Sequence, residues 1–145
     1  AELFFREAKA KNVATIIRVP LSSGMLTGKM SAQSQFAADD HRTFNRKGEA
    51  FDMGETFSGV PYEAGLEAVE ALRPLVPGGA TMAQFALKWI LMQDAVTVTI
   101  PGAKNKSQAE DNAAASALAP LSSEVMAEVR QIYEAKIKPH VHQKW

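Results

Sequence analysis

VATIIRVPLSSGMLTGK, residues 13–29, is the stretch on which the fold turns. VATIIRV (13–19) is β-branched and mostly apolar without alternation, the pattern of a parallel strand covered on both faces. Pro20 then removes the amide that would continue a ladder. PLSSGMLTGK (20–29) gathers Ser22, Ser23, Gly24, Gly28 and Lys29 within one short turn-forming run. Such a run either simply reverses the chain or brings backbone N–H groups close to a phosphate, with Ser and Lys as further donors.

A second stretch has the same construction. DAVTVTIPG (94–102) is again β-branched, is halted at Pro101, and leads into a helix expected over 107–117. Between the two strands, Tyr62, Leu66, Val69 and Leu72 repeat along one helical face after Pro61, which suits a first helical turn, until Pro74 and Pro77 break the pattern. Thr81 and Gln84 form a capping box that opens a helix with Phe85, Trp89 and Met92 inward. Upstream, Leu3, Phe4, Ala8 and Lys11 mark a helix over 1–11 that Asn12 closes. Downstream, Val125, Met126, Val129, Ile132 and Tyr133 face inward on a helix over 123–138 that Pro139 stops. Residues 21–58 have no sustained periodicity and form one long loop, a length that is usually functional. Strand, loop, helices, strand, helix is the order of an α/β protein with a parallel sheet.

Composition narrows the function. Lys plus Arg and Asp plus Glu are balanced at 16 each, so no net field draws the chain to nucleic acid or to an anionic membrane, and neither is expected as a partner. No apolar run approaches the roughly 20 residues that span a bilayer, and no secretory signal opens the chain, so a cytoplasmic location is expected. Cysteine is absent, which leaves oxygen and nitrogen side chains or a bound cofactor to do any chemistry. The chain opens at Ala1 inside a helical pattern, the expectation being a segment of a longer protein.

In parallel α/β architecture ligands bind outside the carboxyl ends of strands, so the residues after Val19 and Ile100 are the candidates. After the second strand, Gly102 permits close approach, and Lys104 and Lys106 bring positive charge to a helix start whose own N–H groups favour an anion. Gln108 and Asn112, one turn apart, project two amides that suit the edge of a nucleobase. The plainer alternative is that both lysines are solvated and both amides are ordinary helix surface. Tyr62 and Tyr133 occupy inward positions typical of packing residues with satisfied hydroxyls. Asp39, Asp40 and His41 read as solvated charge, and His140 and His142 are too few for a metal site. No catalytic residue and no metal ligand is assigned.

PLSSGMLTGK, then FAADDHRTFNR, AQFALKWIL, VTVTIPGAKNKSQAEDNAAA and the closing IKPHVHQKW resemble, in order and spacing, the C-terminal part of aldo/keto reductases. The resemblance covers essentially the whole chain. It implies a partial (β/α)8 TIM barrel, the C-terminal segment with about two parallel strands and several helices. It also implies NADPH as cofactor and a small carbonyl compound as substrate. Carried over position by position, Pro20, Leu21, Ser22, Ser23 and Gly24 would line the nicotinamide ribose and pyrophosphate, with Lys29 near the phosphates. Arg42 would help to fold the 21–58 loop as a flap across the pyrophosphate. Gly102 and Lys104 would take the 2′-phosphate end, and Gln108, Asp111 and Asn112 the adenine and its ribose. Arg18 departs from the pattern, standing where many relatives stack an aromatic ring on the nicotinamide, although a guanidinium also stacks.

The family's general acid, a Tyr with a Lys, an Asp and a His around it, belongs to segments that this sequence does not contain. The chain alone is therefore expected to be inactive. A complete barrel takes about 250 residues. Two strands alone would leave sheet edges open, and self-association through them is expected. The competing expectation is a non-catalytic module that binds a nucleotide or another polypeptide.

Overall fold

The computed structural model describes residues 2–144; Ala1 and Trp145, at the ends of the expected first helix and tail, and the side chains of Glu2, Leu3 and Lys144 lie outside what is described. Helix α1 (Glu2–Ala10) leads to strand β1 (Ile16–Ile17), and a short helix α2 (His41–Phe44) lies within the long connection that follows. Helices α3 (Tyr62–Leu72) and α4 (Met82–Leu91) precede strand β2 (Val98–Thr99). Helix α5 (Lys106–Ala114), helix α6 (Ser123–Ile132) and the short helix α7 (Lys138–Val141) complete the order. The strands pair in parallel, Ile16 opposite Val98 and Ile17 opposite Thr99, so the helical connection is a crossover of the expected kind.

Both strands are shorter than the β-branched runs suggest, for local reasons. Val13 is taken by the end of α1: Asn12 turns left-handed (φ 52°), Val13 N donates to Ala8 O at 2.8 Å and Asn12 N to Lys9 O at 3.2 Å. This is a Schellman closure that satisfies the last helical carbonyls. At the other end Val19 itself is left-handed (φ 50°), a conformation that a β-branched side chain rarely adopts, so the extended run cannot continue to Pro20. On β2, Val96 N donates to Gln93 O at 2.8 Å, which consumes the first part of that run as a turn.

Burial on both faces is also corrected. Ile16 is 63% exposed, Ile100 55% and Val98 41%: among the described residues α4 packs on β2 and leaves the face of these three side chains largely open. A sheet of two strands cannot shield both of its own faces.

The core lies on the helical side. Met25, Phe57, Tyr62, Val69, Met82, Phe85 and Leu121 are buried together, with Leu66, Leu72, Trp89 and Met92 packed against them. Met25 and Phe57 come from the long connection, which is thus partly core and not only a lid. Gly65 leaves room for Met25, since a Cβ there would sit 2.9 Å from its Cε.

Helix α4 starts where its capping box predicts: Gln84 N donates to Thr81 Oγ1 at 3.2 Å and Thr81 N to Gln84 Oε1 at 2.9 Å. Pro61 stands just outside α3 as its N-cap residue. Helix α5 begins one residue earlier than expected because Asn105 caps it, accepting from Gln108 N at 3.0 Å. Pro139 does not stop the last helix. A wide π turn over Tyr133–Ile137 resets the chain, so Pro139 falls in the first turn of α7, where its missing N–H has no helical partner to lose.

Candidate functional site

Because β1 and β2 are parallel and in register, the runs after Ile17 and after Thr99 leave the sheet at the same end. Ile100 N still donates to Ile17 O at 3.0 Å, which holds the two exits side by side. Arg18, Pro20 and 21–24 follow the first exit; Gly102 and Lys104 follow the second.

The first exit is an unusually left-handed turn. Ser22 (φ 48°), Ser23 (φ 54°) and Gly24 (φ 90°) all have positive φ, and Gly24 also has Met30 Cε within 3.0 Å of where a Cβ would stand. Facing it, Phe57 (φ 50°), Ser58 (φ 57°) and Gly59 (φ 72°) repeat the same conformation. Each such non-glycine residue costs about 1–3 kcal/mol, and such strain tends to collect at functional sites. Side chains lock the turns together. Phe57 N donates to Ser23 Oγ at 3.1 Å, Ser23 Oγ donates to Glu55 O at 3.4 Å, and the Ser22 and Ser58 hydroxyls are 3.1 Å apart. His41 Nε2 also lies within hydrogen-bond distance of Ser23 Oγ, at 3.3 Å.

Arg42 closes the 21–58 loop onto this turn. Its Nη1 donates to Ser23 O at 3.3 Å, its Nε and Nη2 donate to Asp40 at 2.9 and 2.6 Å, and its guanidinium lies 4.3 Å from the Phe36 ring centre. Asp40 and His41 are therefore working members of the loop and not solvated charge. Asp40 caps α2 through Arg42 N at 2.9 Å. The Arg42 hydrogen bond is the main reason that the Asp40 carboxyl is lowered from 3.8 to about 2, against the opposing effect of burial. A depressed carboxyl contributes stability that is complete above its ordinary value and lost as pH falls through the lowered one. Acidification from about 4 to about 2 should release the Arg42 amide, read by hydrogen exchange, and Asp40→Asn should remove that step; a step of equal size in the variant would assign it to other groups.

At the second exit, Gln108 and Asn112 turn back on their own loop. Lys104 N donates to Gln108 Oε1 at 2.7 Å, and Asn112 Nδ2 donates to Gly102 O at 3.2 Å. They shape the 102–104 turn and leave Gln108 Nε2 and Asn112 Oδ1 without a partner among the described residues. Nothing lies within 4 Å of a Cβ built on Gly102, so space beside it is open. Lys104 and Asp111 are exposed, and Lys106 pairs with Glu110 at 3.5 Å. Pro20 is buried, Leu21 is half-buried, and Lys29 is exposed with no ion-pair partner among the described residues.

Four residues that the sequence did not single out belong to this region. Asn45, fully buried, accepts from Ala50 N and Phe51 N at 2.8 Å each and donates to Thr56 Oγ1 at 3.2 Å. Glu55, Thr56 and Ser58 complete the wall opposite Ser22 and Ser23. Asp40, a residue type suited to an N-cap, carried a helix-start signal; Asn45, Glu55, Thr56 and Ser58 carried none. Tyr62 is a packing residue as expected, its hydroxyl donating to Ser31 O at 2.9 Å. No cluster of three metal-ligating side chains occurs among the described residues.

Fold and exits together define part of a (β/α)8 barrel, with the candidate residues at the carboxyl ends of two neighbouring strands. The aldo/keto reductase family model matches residues 2–134, and the chain belongs to that family. It is 30% identical over 128 residues to aldo-keto reductase str7 of Strobilurus tenacellus, covering 88% of this chain and 35% of that protein. It is 28% identical over 126 residues to a probable voltage-gated potassium channel subunit beta of Arabidopsis thaliana, covering 82% of this chain and 35% of that one. The chain thus spans about a third of the length of these curated relatives. The glycerol dehydrogenase AKR11B4 of Gluconobacter oxydans shares the fold, with a TM-score of 0.71 at 23% identity over 92% of this chain and 38% of that one. No helix among the described residues is long and apolar enough to cross a membrane.

Proposed function

We propose that this chain is the C-terminal, cofactor-binding share of a barrel that reduces aldehydes or ketones to alcohols with NADPH. The carrying observation is the side-by-side departure of the Ser22–Ser23–Gly24 turn and the Lys104-bearing helix start from one end of the sheet. An extended dinucleotide needs that arrangement. The donors fit it: the Ser22 hydroxyl on a compact turn at one end, and at the other an exposed lysine beside the α5 N–H groups that Asn105 does not cap. When bound, the nicotinamide supplies the hydride. Pro20, Leu21, Ser22, Ser23 and Gly24 line its ribose and the pyrophosphate, and Lys29 approaches the phosphates. Arg42 keeps the 21–58 flap against that turn. Gly102 and Lys104 receive the 2′-phosphate, and Gln108, Asp111 and Asn112 border the adenosine. The general acid comes from other segments of the barrel.

Nicotinamide fluorescence during titration of the intact barrel protein tests the reading: saturable NADPH binding is expected, and its absence would overturn it. The 145-residue chain alone should show no carbonyl-dependent NADPH oxidation; turnover by it would place the acid within these residues. The similarity to a channel subunit beta and the uncovered apolar face of Ile16, Val98 and Ile100 favour a second reading, a module that binds another polypeptide. NADPH binding by the intact protein without any carbonyl turnover would favour that one.

A further inference from the structure

Arg18 stands at the nicotinamide end of the proposed cofactor site, and a role for it there rests on that reading. Its Nη1 and Nη2 donate to Glu55 Oε1 and Oε2 at 3.1 and 2.7 Å. This two-pronged pairing occupies one edge of the planar guanidinium and leaves its faces open, and the Arg18 side chain is 67% exposed. Glu55 is not a chance surface neighbour. Its carbonyl accepts from Ser23 Oγ, and the next residues, Thr56 and Phe57, are 1% and 2% exposed, so the carboxylate projects from a fixed base. Beside the pair lies an open pocket of about 210 Å³ lined by Arg18, Val19, Gly54, Glu55 and Ser58.

A bare guanidinium suits the neutral reduced nicotinamide but repels the oxidised ring, which carries a positive charge. A guanidinium already paired with a carboxylate presents a flat, neutral platform. We propose that Glu55 is a positioning residue that holds Arg18 by its edge and cancels its charge, so that a face of Arg18 takes the nicotinamide ring in both redox states.

The test compares NADP⁺ and NADPH affinities of the intact barrel protein, measured by calorimetric titration, for the unsubstituted chain, Glu55→Gln, and the double variant Arg18→Gln with Glu55→Gln. Unmasking one positive charge within contact range of the oxidised ring should weaken NADP⁺ about tenfold while NADPH changes by no more than about twofold. The double variant, with neither charge, should lose that discrimination. A merely structural role for Glu55 would weaken both forms equally, and that result, or no change in either, would overturn the proposal. Failure of the unsubstituted protein to bind either form would instead overturn the cofactor reading, and this inference with it.

Discussion

Lys104→Glu should weaken NADPH binding by about 1–3 kcal/mol, the range for losing a charge-assisted hydrogen bond, and leave NADH binding nearly unchanged. The two cofactors differ only in the 2′-phosphate, so the comparison isolates the group that Lys104 is proposed to meet. The geometry favours a specific effect. The Lys104 amide is held by Gln108 Oε1 at 2.7 Å, Gln108 N by Asn105 Oδ1 at 3.0 Å, and the Gly102 carbonyl by Asn112 Nδ2 at 3.2 Å. The turn is thus braced by side chains other than the lysine. Substituting an exposed side chain should leave its backbone in place, and among the described residues Lys104 has no ion-pair partner whose loss would confuse the result. Parallel fluorescence titrations with the two cofactors measure the difference. Equal weakening of both would move the 2′-phosphate away from this helix start.

Asn45→Ala should destabilise the protein by about 2–4 kcal/mol, from lost hydrogen bonds and a cavity in a closed space. Asn45 is 0% exposed and organises the second half of the loop, with the Ala50 and Phe51 amides on its Oδ1 and Thr56 Oγ1 on its Nδ2. Removing it strands polar groups around Thr56, itself 1% exposed, next to the buried ring of Phe57. Urea denaturation measures the loss, and amide exchange at Ala50 and Phe51 should accelerate. Asp39→Ala, at an exposed position of the same loop, should change stability by less than about 0.5 kcal/mol. Equal effects at the two positions would mean that Asn45 does not carry the loop.

These two sites contrast in how visible they are in the amino-acid string. Lys104 lies within eight residues of the groups that brace its turn, in a strand-to-helix junction whose residue types state their own purpose. Asn45 reaches partners up to 11 residues away in a segment with no period, where one Asn looks like any other. The same split runs through the fold. The Thr81–Gln84 box, the Asn12 closure and the inward face of α3 all depend on spacings of three to five residues. β-Branching in β1 and β2 reports only a liking for sheets, whereas cover on each face depends on which neighbours are present. Pro139 carries the local mark of a helix stop, but the π turn before it moves it into a first helical turn.

Short-range chemistry was therefore enough for the long helices, the two strands, their order and the parallel pairing, since periodicity, caps and β-branching act over a few residues. Folding in three dimensions was needed to bring Ser22 to Ser58, Ser23 to His41 and Phe57, and Arg18 to Glu55, pairs 18 to 37 residues apart. No local rule links them. They meet because buried Met25 and Phe57 anchor two strained turns in one core, and the turns carry their polar side chains to the same strand end.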